Sequence, residues 1–267
     1  MEHNIIYRKI YTITRMFKGE IKIDKELLLQ IVKKYSYYPL LRTIYKIKGN
    51  RDGVKVIEEE WDYLIVLDAC RYDYFEKVNR IDGKLEKRIS LGSNTPEWLK
   101  KNFDGYYDDV VYISANPHIS NYEVRGFRGT DHFWKVENLW YYDWDNVLES
   151  VHPRRVTKKA LRTIRKYYGK RFIIHYLQPH QPYILSPKVT HSLVRIGKIS
   201  IEELRKAYME NLILVHNEVE KLVNVLEGKI VITADHGQLL GEKFEIGHPL
   251  GVYFKELVEV PWLVVEK

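Results

Sequence analysis

The residues best suited to chemistry stand where apolar runs stop. The run Ile230-Val231-Ile232-Thr233-Ala234 ends at Asp235-His236-Gly237, and His248 follows in the same stretch, VITADHGQLLGEKFEIGHPLG. A run at 63–67 hands over to Asp68 in LDACRYDYF, and a third at 172–177 contains His175 and continues into LQPHQPY, where His180 stands between Pro179 and Pro182. An acid, an imidazole and an Asp-His pair at three such ends make a donor set that hard or borderline divalent metals use. A metal there would gather the charge of a phosphate oxygen and of an activated hydroxyl. Each residue also has a plainer reading. Asp68 would cap the following helix, Arg71 and Asp73 would pair or tie the turn to the sheet, and His175 would be a core histidine with a satisfied ring nitrogen. His180 differs, because an imidazole in a proline-stiffened loop loses little entropy on binding.

That chemistry needs a hydroxyl, and SLGSNTPEWLK supplies Ser90, Ser93 and Thr95. Thr95-Pro96-Glu97 reads as a helix start, with Thr95 at the N-cap, Pro96 at the first helical position and an acid in the first turn. A helix N-terminus also favours an anion, so a phosphate esterified there would be stabilised. A metal-bound threonine in that place would have a lowered pKa and could attack.

Elements of a particular kind must position these groups. Apolar runs occur at 63–67, 110–113, 172–177, 229–234 and 260–265, with helical stretches near 96–103, 154–168 and 201–226. Continuous apolar strands alternating with helices predict a mostly parallel sheet covered on both faces, a three-layer αβα sandwich. Function in such sheets gathers beyond the carboxyl ends of the strands. Residues 1–60 read differently, as a helical extension before a catalytic domain at 61–267. Asp24 caps a predicted helix through Tyr35, a short helix follows Pro39, and 49–53 is a turn. The segment 5–18, with Arg8, Lys9, Arg15 and Lys18, either packs on the main domain or lies on a membrane surface.

With 267 residues, 45% apolar and 30% charged, the chain is of ordinary globular composition. Its single cysteine, Cys70, excludes an intramolecular disulfide framework and a multi-cysteine zinc site, and reads as a small turn or core residue. No basic-then-apolar leader is evident and no apolar run approaches a bilayer span, so a cytoplasmic location, with membrane association through the N-terminal segment, is expected. The net charge of +7 reflects either a solvated surface or a patch for anionic partners.

Together DYLIVLDACRYD, HYLQPHQPY, VITADHGQLLGE with the later GHP, and the closing YFKELVEVPWLVV resemble the alkaline phosphatase and sulfatase superfamily, over roughly residues 61–267. The resemblance implies an alkaline phosphatase-like sandwich with a metal at the strand ends. Carried over, Asp68, Thr95, Asp235 and His236 hold one divalent ion, while His180 and His248 contact the transferred group or a second ion. Thr95 is then the nucleophile, with Ser93 as the other choice. The Cys/Ser-x-Pro-Ser-Arg run of formylglycine sulfatases is missing, which points to phosphoryl rather than sulfuryl chemistry. Ala69 stands where those enzymes have a second acid, which favours zinc or manganese over calcium.

The expectation is therefore a metal-dependent phosphoric ester hydrolase or transferase working through a covalent phospho-enzyme. Its substrate would be a phosphorylated or otherwise anionic small molecule, glycan or lipid head group. Asn116, His118, Arg125 and Arg128, in a long aromatic and charged stretch over 114–150 expected to wall the pocket, are candidates for recognising the anion, as is Lys243. Trp98, Trp134, Trp140 and Trp144 either stack on a sugar or pack. The rivals are a sulfatase or head-group transferase with the same site, and a basic nucleic-acid-binding or scaffold protein. The last explains the charge but not the three strand ends.

Overall fold

The computed structural model describes residues 37–50 and 52–267. The helix expected after Asp24 and the segment 5–18 lie outside the described residues. The chain divides between Lys48 and Gly49 into two compact units. In the first, the helix expected after Pro39 is α1 (Tyr38–Lys48).

The second unit contains, in order, β1 (Gly53–Val54), β2 (Tyr63–Asp68), α2 (Tyr72–Val78), β3 (Lys84–Ser90), α3 (Thr95–Asn102), β4 (Tyr107–Ser114), β5 (Phe133–Asn138), α4 (Leu139–Tyr142), α5 (Pro153–Lys166) and β6 (Arg171–Pro179). There follow α6 (His191–Arg195), α7 (Ile201–Val223), β7 (Lys229–Thr233), β8 (Leu239–Leu240), β9 (Ile246–Gly247), α8 (Lys255–Val258) and β10 (Glu259–Glu266). Residues 49–60 belong to this unit: β1 pairs with β3, and Val56, Ile57 and Trp61 are buried in its core.

One sheet runs β1-β3-β10-β7-β2-β6-β4-β5, and β8 pairs separately with β9. Its pairs are parallel except those of β10, which runs against both β3 and β7. The neighbours β7, β2, β6 and β4 therefore present their carboxyl ends side by side on one edge. Period-two alternation splits each strand between two cores. Ile65, Leu67, Val111, Ile113, Ile174 and Ile232 face the layer of α5 and α7. Leu64, Val66, Tyr112, Ile173 and Val231 face Trp98, Leu99 and Phe103, contributed by α3 and its C-terminal end. The sheet is thus sandwiched, as the alternating apolar runs predict. Of the longer strands, β3 and β5 had no such run: β3, Lys-Leu-Glu-Lys-Arg-Ile-Ser, is only partly buried, and β5 is an edge strand.

Candidate active site

Asp68 closes β2, and the chain turns at once through Ala69 at φ +60°. The turn is bound on every side. Ala69 N–H donates to Asp235 Oδ1 at 3.1 Å, and the Tyr208 hydroxyl donates to Ala69 O at 2.7 Å while accepting from Arg71 N–H at 3.0 Å. Arg71 and Asp73 do pair, through bonds of 2.9 and 2.7 Å, and Arg71 also reaches Glu242 at 2.8 Å. Asp68 does not cap α2, which starts from Arg71; its Oδ2 accepts from Asn116 Nδ2 at 2.6 Å instead.

Beyond β7, Asp235 and His236 are fully buried. Ser90 Oγ donates to the Asp235 carbonyl, and His236 N–H to Asp235 Oδ1 at 2.9 Å. His236 Nδ1 donates to Gly237 O at 2.7 Å, which turns Nε2 toward the two carboxylates. Nε2 lies 3.3 Å from Asp235 Oδ2 and 3.7 Å from Asp68 Oδ1.

Thr95 completes the group. Its Oγ1 donates to Asp235 Oδ2 at 2.7 Å and stands 3.4 Å from both His236 Nε2 and Asn116 Nδ2. It is not the N-cap expected. Asn94 caps α3 by accepting Glu97 N–H at 3.1 Å, which puts Thr95 at the first helical position and frees its hydroxyl to face the carboxylates. Ser93 is occupied elsewhere: its single O–H proton has Glu97 Oε2 at 3.1 Å and Pro249 O at 3.2 Å as acceptors, and its Oγ accepts from Gly251 N–H.

The donors suit a divalent cation. One ligand atom each from Asp68, Asp235 and His236 lie within 4.8 Å of one another, all buried. Burial, then the charge of Asp235, holds the Asp68 carboxyl well above its usual range. Burial opposes ionisation of Asp235 too, but His236, His175, Thr95 and the Ala69 N–H outweigh it and keep that carboxyl low. Two adjacent buried carboxylates need a proton or a cation between them, and with His236 Nε2 beside them they form a donor set of the kind a divalent cation takes.

Four more histidines border this group. His180 Nδ1 bonds Gln181 O, which leaves Nε2 to accept from His248 Nε2 at 3.2 Å, and the His248 ring centre is 4.5 Å from that of His236. Burial pushes His180 down to about 4 and His248 well below its usual value, so both are neutral near pH 7. His175 bonds Tyr112 OH at 2.9 Å through Nδ1, as a core histidine should, but its buried Nε2 has no partner and lies 4.0 Å from Asp235 Oδ2. His118 Nδ1 and His248 Nδ1 are likewise buried without a hydrogen-bond partner. These unused ring nitrogens mark the group as a site for a polar ligand.

No family model matches the chain, and no curated protein does. Solved structures do. The soluble domain of lipooligosaccharide phosphoethanolamine transferase A from Neisseria meningitidis superposes with a TM-score of 0.54 at 13% identity, covering 76% of this chain and 75% of that one. The C-terminal periplasmic domain of EcEptC from Escherichia coli, in complex with Zn, gives 0.53 at 13% identity over 77% and 72%. Phosphonate monoester hydrolase SpPMH from Silicibacter pomeroyi gives 0.50 at 12% identity over 76% and 67%. The fold is alkaline phosphatase-like.

In this alkaline phosphatase-like sheet Asp68, Thr95, Asp235 and His236 come together, with His180 and His248 beside them, and Asn116, expected in the pocket wall, joins them through Asp68 and Thr95. The outlying candidates are placed differently. Arg125 is exposed, yet its charge helps hold His118 low, after burial. Arg128 is exposed and faces Asp131 at 3.9 Å. Lys243 is exposed in the 239–247 hairpin over the ring of Phe254. Trp98 is core, Trp140 and Trp144 pack against the core, and Trp134 is partly exposed beneath Lys170. Cys70 is a buried free thiol. Tyr208, Asn94 and His191 went unread in the sequence. Asn94 carried a signal, since Asn-x-x-Glu places a capping amide three residues before an acid; Tyr208 and His191 lie on helices far along the chain and carried none.

Proposed function

We propose that the protein transfers or hydrolyses a phosphate or phosphonate ester by way of Thr95. The observation that carries this reading is the single placement of the Thr95 hydroxyl: on a helix N-terminus, against Asp235 Oδ2 at 2.7 Å and facing His236 and Asn116 at 3.4 Å. Asp68, Asp235, His236 and Thr95 itself would hold a divalent ion, zinc or manganese. When bound, such an ion would lower the hydroxyl pKa and draw charge from the phosphoryl oxygens. The zinc in the similar EcEptC domain supports that choice.

The Thr95 O–H proton has an acceptor in Asp235. The freed oxygen forms a bond to phosphorus as the bond to the leaving oxygen breaks, in line, giving a phosphothreonine. The α3 N-terminus stabilises the esterified anion. His180 and His248 would border the transferred group, and the proton taken up by Asp235 would pass to the leaving oxygen, so that it departs as the alcohol. Water, or an acceptor alcohol, then takes the phosphoryl group from Thr95. Two of the similar structures are a phosphoethanolamine transferase and a phosphonate monoester hydrolase. They favour an anionic head group on a lipid or glycan as substrate, with hydrolysis and transfer sharing one site.

The test sets wild type beside Asp235→Ala, Thr95→Ala and Ser93→Ala, all loaded with zinc or manganese. Wild type should bind metal near stoichiometry and Asp235→Ala should not. Turnover of an aryl phosphate or phosphonate should fall at least about a thousandfold in Thr95→Ala, the scale of losing a nucleophile. Phosphate should be trapped on the Thr95 peptide of wild type, by mass spectrometry. A fully active Thr95→Ala beside an inactive Ser93→Ala would move the nucleophile to Ser93.

A further inference from the structure

Away from the site, α5 concentrates the charge of the whole molecule. Seven of its fourteen residues are Arg or Lys and none is Asp or Glu. Outside α5 the chain balances, 43 basic residues less these seven against 36 acidic ones, so the net +7 equals the charge of this one helix. Its inner face, Val156, Thr157, Ala160 and Thr163, is buried in the core. Its outer face carries Arg154, Arg155, Lys158, Arg162, Arg165 and Lys166, all exposed, along about 18 Å of axis. Neighbouring acids neutralise little of it. Glu137 pairs with the half-buried Lys159 at 2.9 Å and Asp145 with Arg155 at 3.7 Å. Among the described residues, no carboxylate lies within ion-pair distance of the other five.

Exposed rings lie on both sides of α5 in the chain. Tyr141 and Tyr142 precede it in the chain, 68% and 52% exposed, Tyr168 follows it, 94% exposed, and Trp134 meets the ring of Tyr167 edge-on at 5.1 Å. These rings are not a base-stacking platform. They stand outside the row of cations, and Lys159 and Lys170 already cover Tyr142 and Trp134, at 5.3 and 4.7 Å from the ring centres. A helix face that is cationic along its whole length, with exposed amphipathic rings before and after it in the chain, matches an anionic surface with a head-group layer. We infer that the outer face of α5 is a docking surface for an anionic lipid bilayer. Because its apolar side is committed to the core, attachment is electrostatic and reversible by salt.

The experiment sediments the full chain with phosphatidylcholine vesicles, with and without phosphatidylserine. Binding should require phosphatidylserine and fall with salt. Arg162→Gln/Arg165→Gln should weaken it about 25-fold, at about fivefold per cation lost, and Arg154→Gln/Lys158→Gln by a similar factor. Lys188→Gln/Lys198→Gln, which removes two exposed lysines elsewhere, should leave it unchanged. All three pairs are surface changes, and an unaltered melting temperature establishes that each folds. The inference is overturned by binding that ignores phosphatidylserine, by undiminished binding of both α5 variants, or by an equal loss in the control pair. It is overturned equally if duplex DNA at the same salt binds more tightly than the vesicles and depends on the same α5 arginines.

Discussion

Ala69 shows how the group of Asp68, Asp235 and His236 is held at the scale of single residues. A non-glycine residue at φ +60° carries about 1–3 kcal/mol of backbone strain, and persists only where its surroundings over-determine it. Here the strained turn aims the Ala69 N–H at Asp235 Oδ1 and sets Asp68 beside it, while one phenol, that of Tyr208, ties down both Ala69 O and Arg71 N. Tyr208 is thus a positioning residue: it touches neither Thr95 nor a metal donor. Groups that orient metal ligands typically contribute 10–100-fold to affinity. Tyr208→Phe should therefore weaken zinc binding about tenfold, read by calorimetry on the apoprotein. Adding Ala69→Gly, which relieves the strain without restoring the phenol, should recover part of that loss. Unchanged affinity in Tyr208→Phe would show that the turn holds itself.

At the scale of elements, the glycine after the Asp-His pair has a steric cause. A Cβ on Gly237 would sit 2.2 Å from the backbone oxygen of Glu256 in α8, while Gly237 N–H donates to Leu257 O at 2.8 Å. The β7 end and α8 can approach this closely only across a glycine. Gly237→Ala must push the two backbones apart, at about 1–3 kcal/mol by the cost of overpacking, and it displaces the loop that carries Asp235 and His236. A lower denaturation midpoint together with weaker metal binding is the expected result; a stability loss with metal affinity intact would uncouple α8 from the site. This loop also shows what was readable in advance. Asp68, Asp235 and His236 follow runs such as Tyr63-Leu-Ile-Val-Leu, and a strand buried on both faces announces itself by an unbroken apolar run. By contrast, β3 interleaves Lys and Glu with Leu and Ile because it is only partly buried, and β5 alternates because it is an edge strand. Thr95 was legible as part of a helix start, and the Asn94-x-x-Glu97 spacing marks Asn94 as its cap, but that the freed Thr95 hydroxyl meets Asp235 follows only from the packing of α3 against the end of β7. Tyr208 and His191 reach the strand-end loops from helical segments distant in sequence, a relation that no local pattern encodes.

At the scale of the whole molecule, the buried histidines set how stability depends on pH. His191, whose Nε2 accepts from Tyr183 OH at 3.0 Å, is pushed down to about 3 by burial and then by His180 and Arg195. His216, beside Asn79, is lowered by burial and then by Arg80. An unfolded histidine titrates near 6.5. Below that pH the unfolded chain takes up protons that these folded rings refuse, so stability falls with falling pH until the folded value is reached. Asp68 acts in the opposite sense, since a carboxyl held high takes its proton in the folded state first. The two contributions separate by subtraction. In His191→Gln an amide oxygen can still accept from Tyr183, but the titrating ring is gone, while Asp68 is common to both proteins. Between pH 6.5 and 5 a fully refused proton costs about 2 kcal/mol, at about 1.4 kcal/mol per unit. Urea unfolding of the apoprotein at pH 7.5 and pH 5 should therefore show wild type losing about 2 kcal/mol more than His191→Gln. Equal losses would mean that the His191 ring takes its proton in the folded state, and that the Tyr183 and Gln238 contacts around it open to admit the charge.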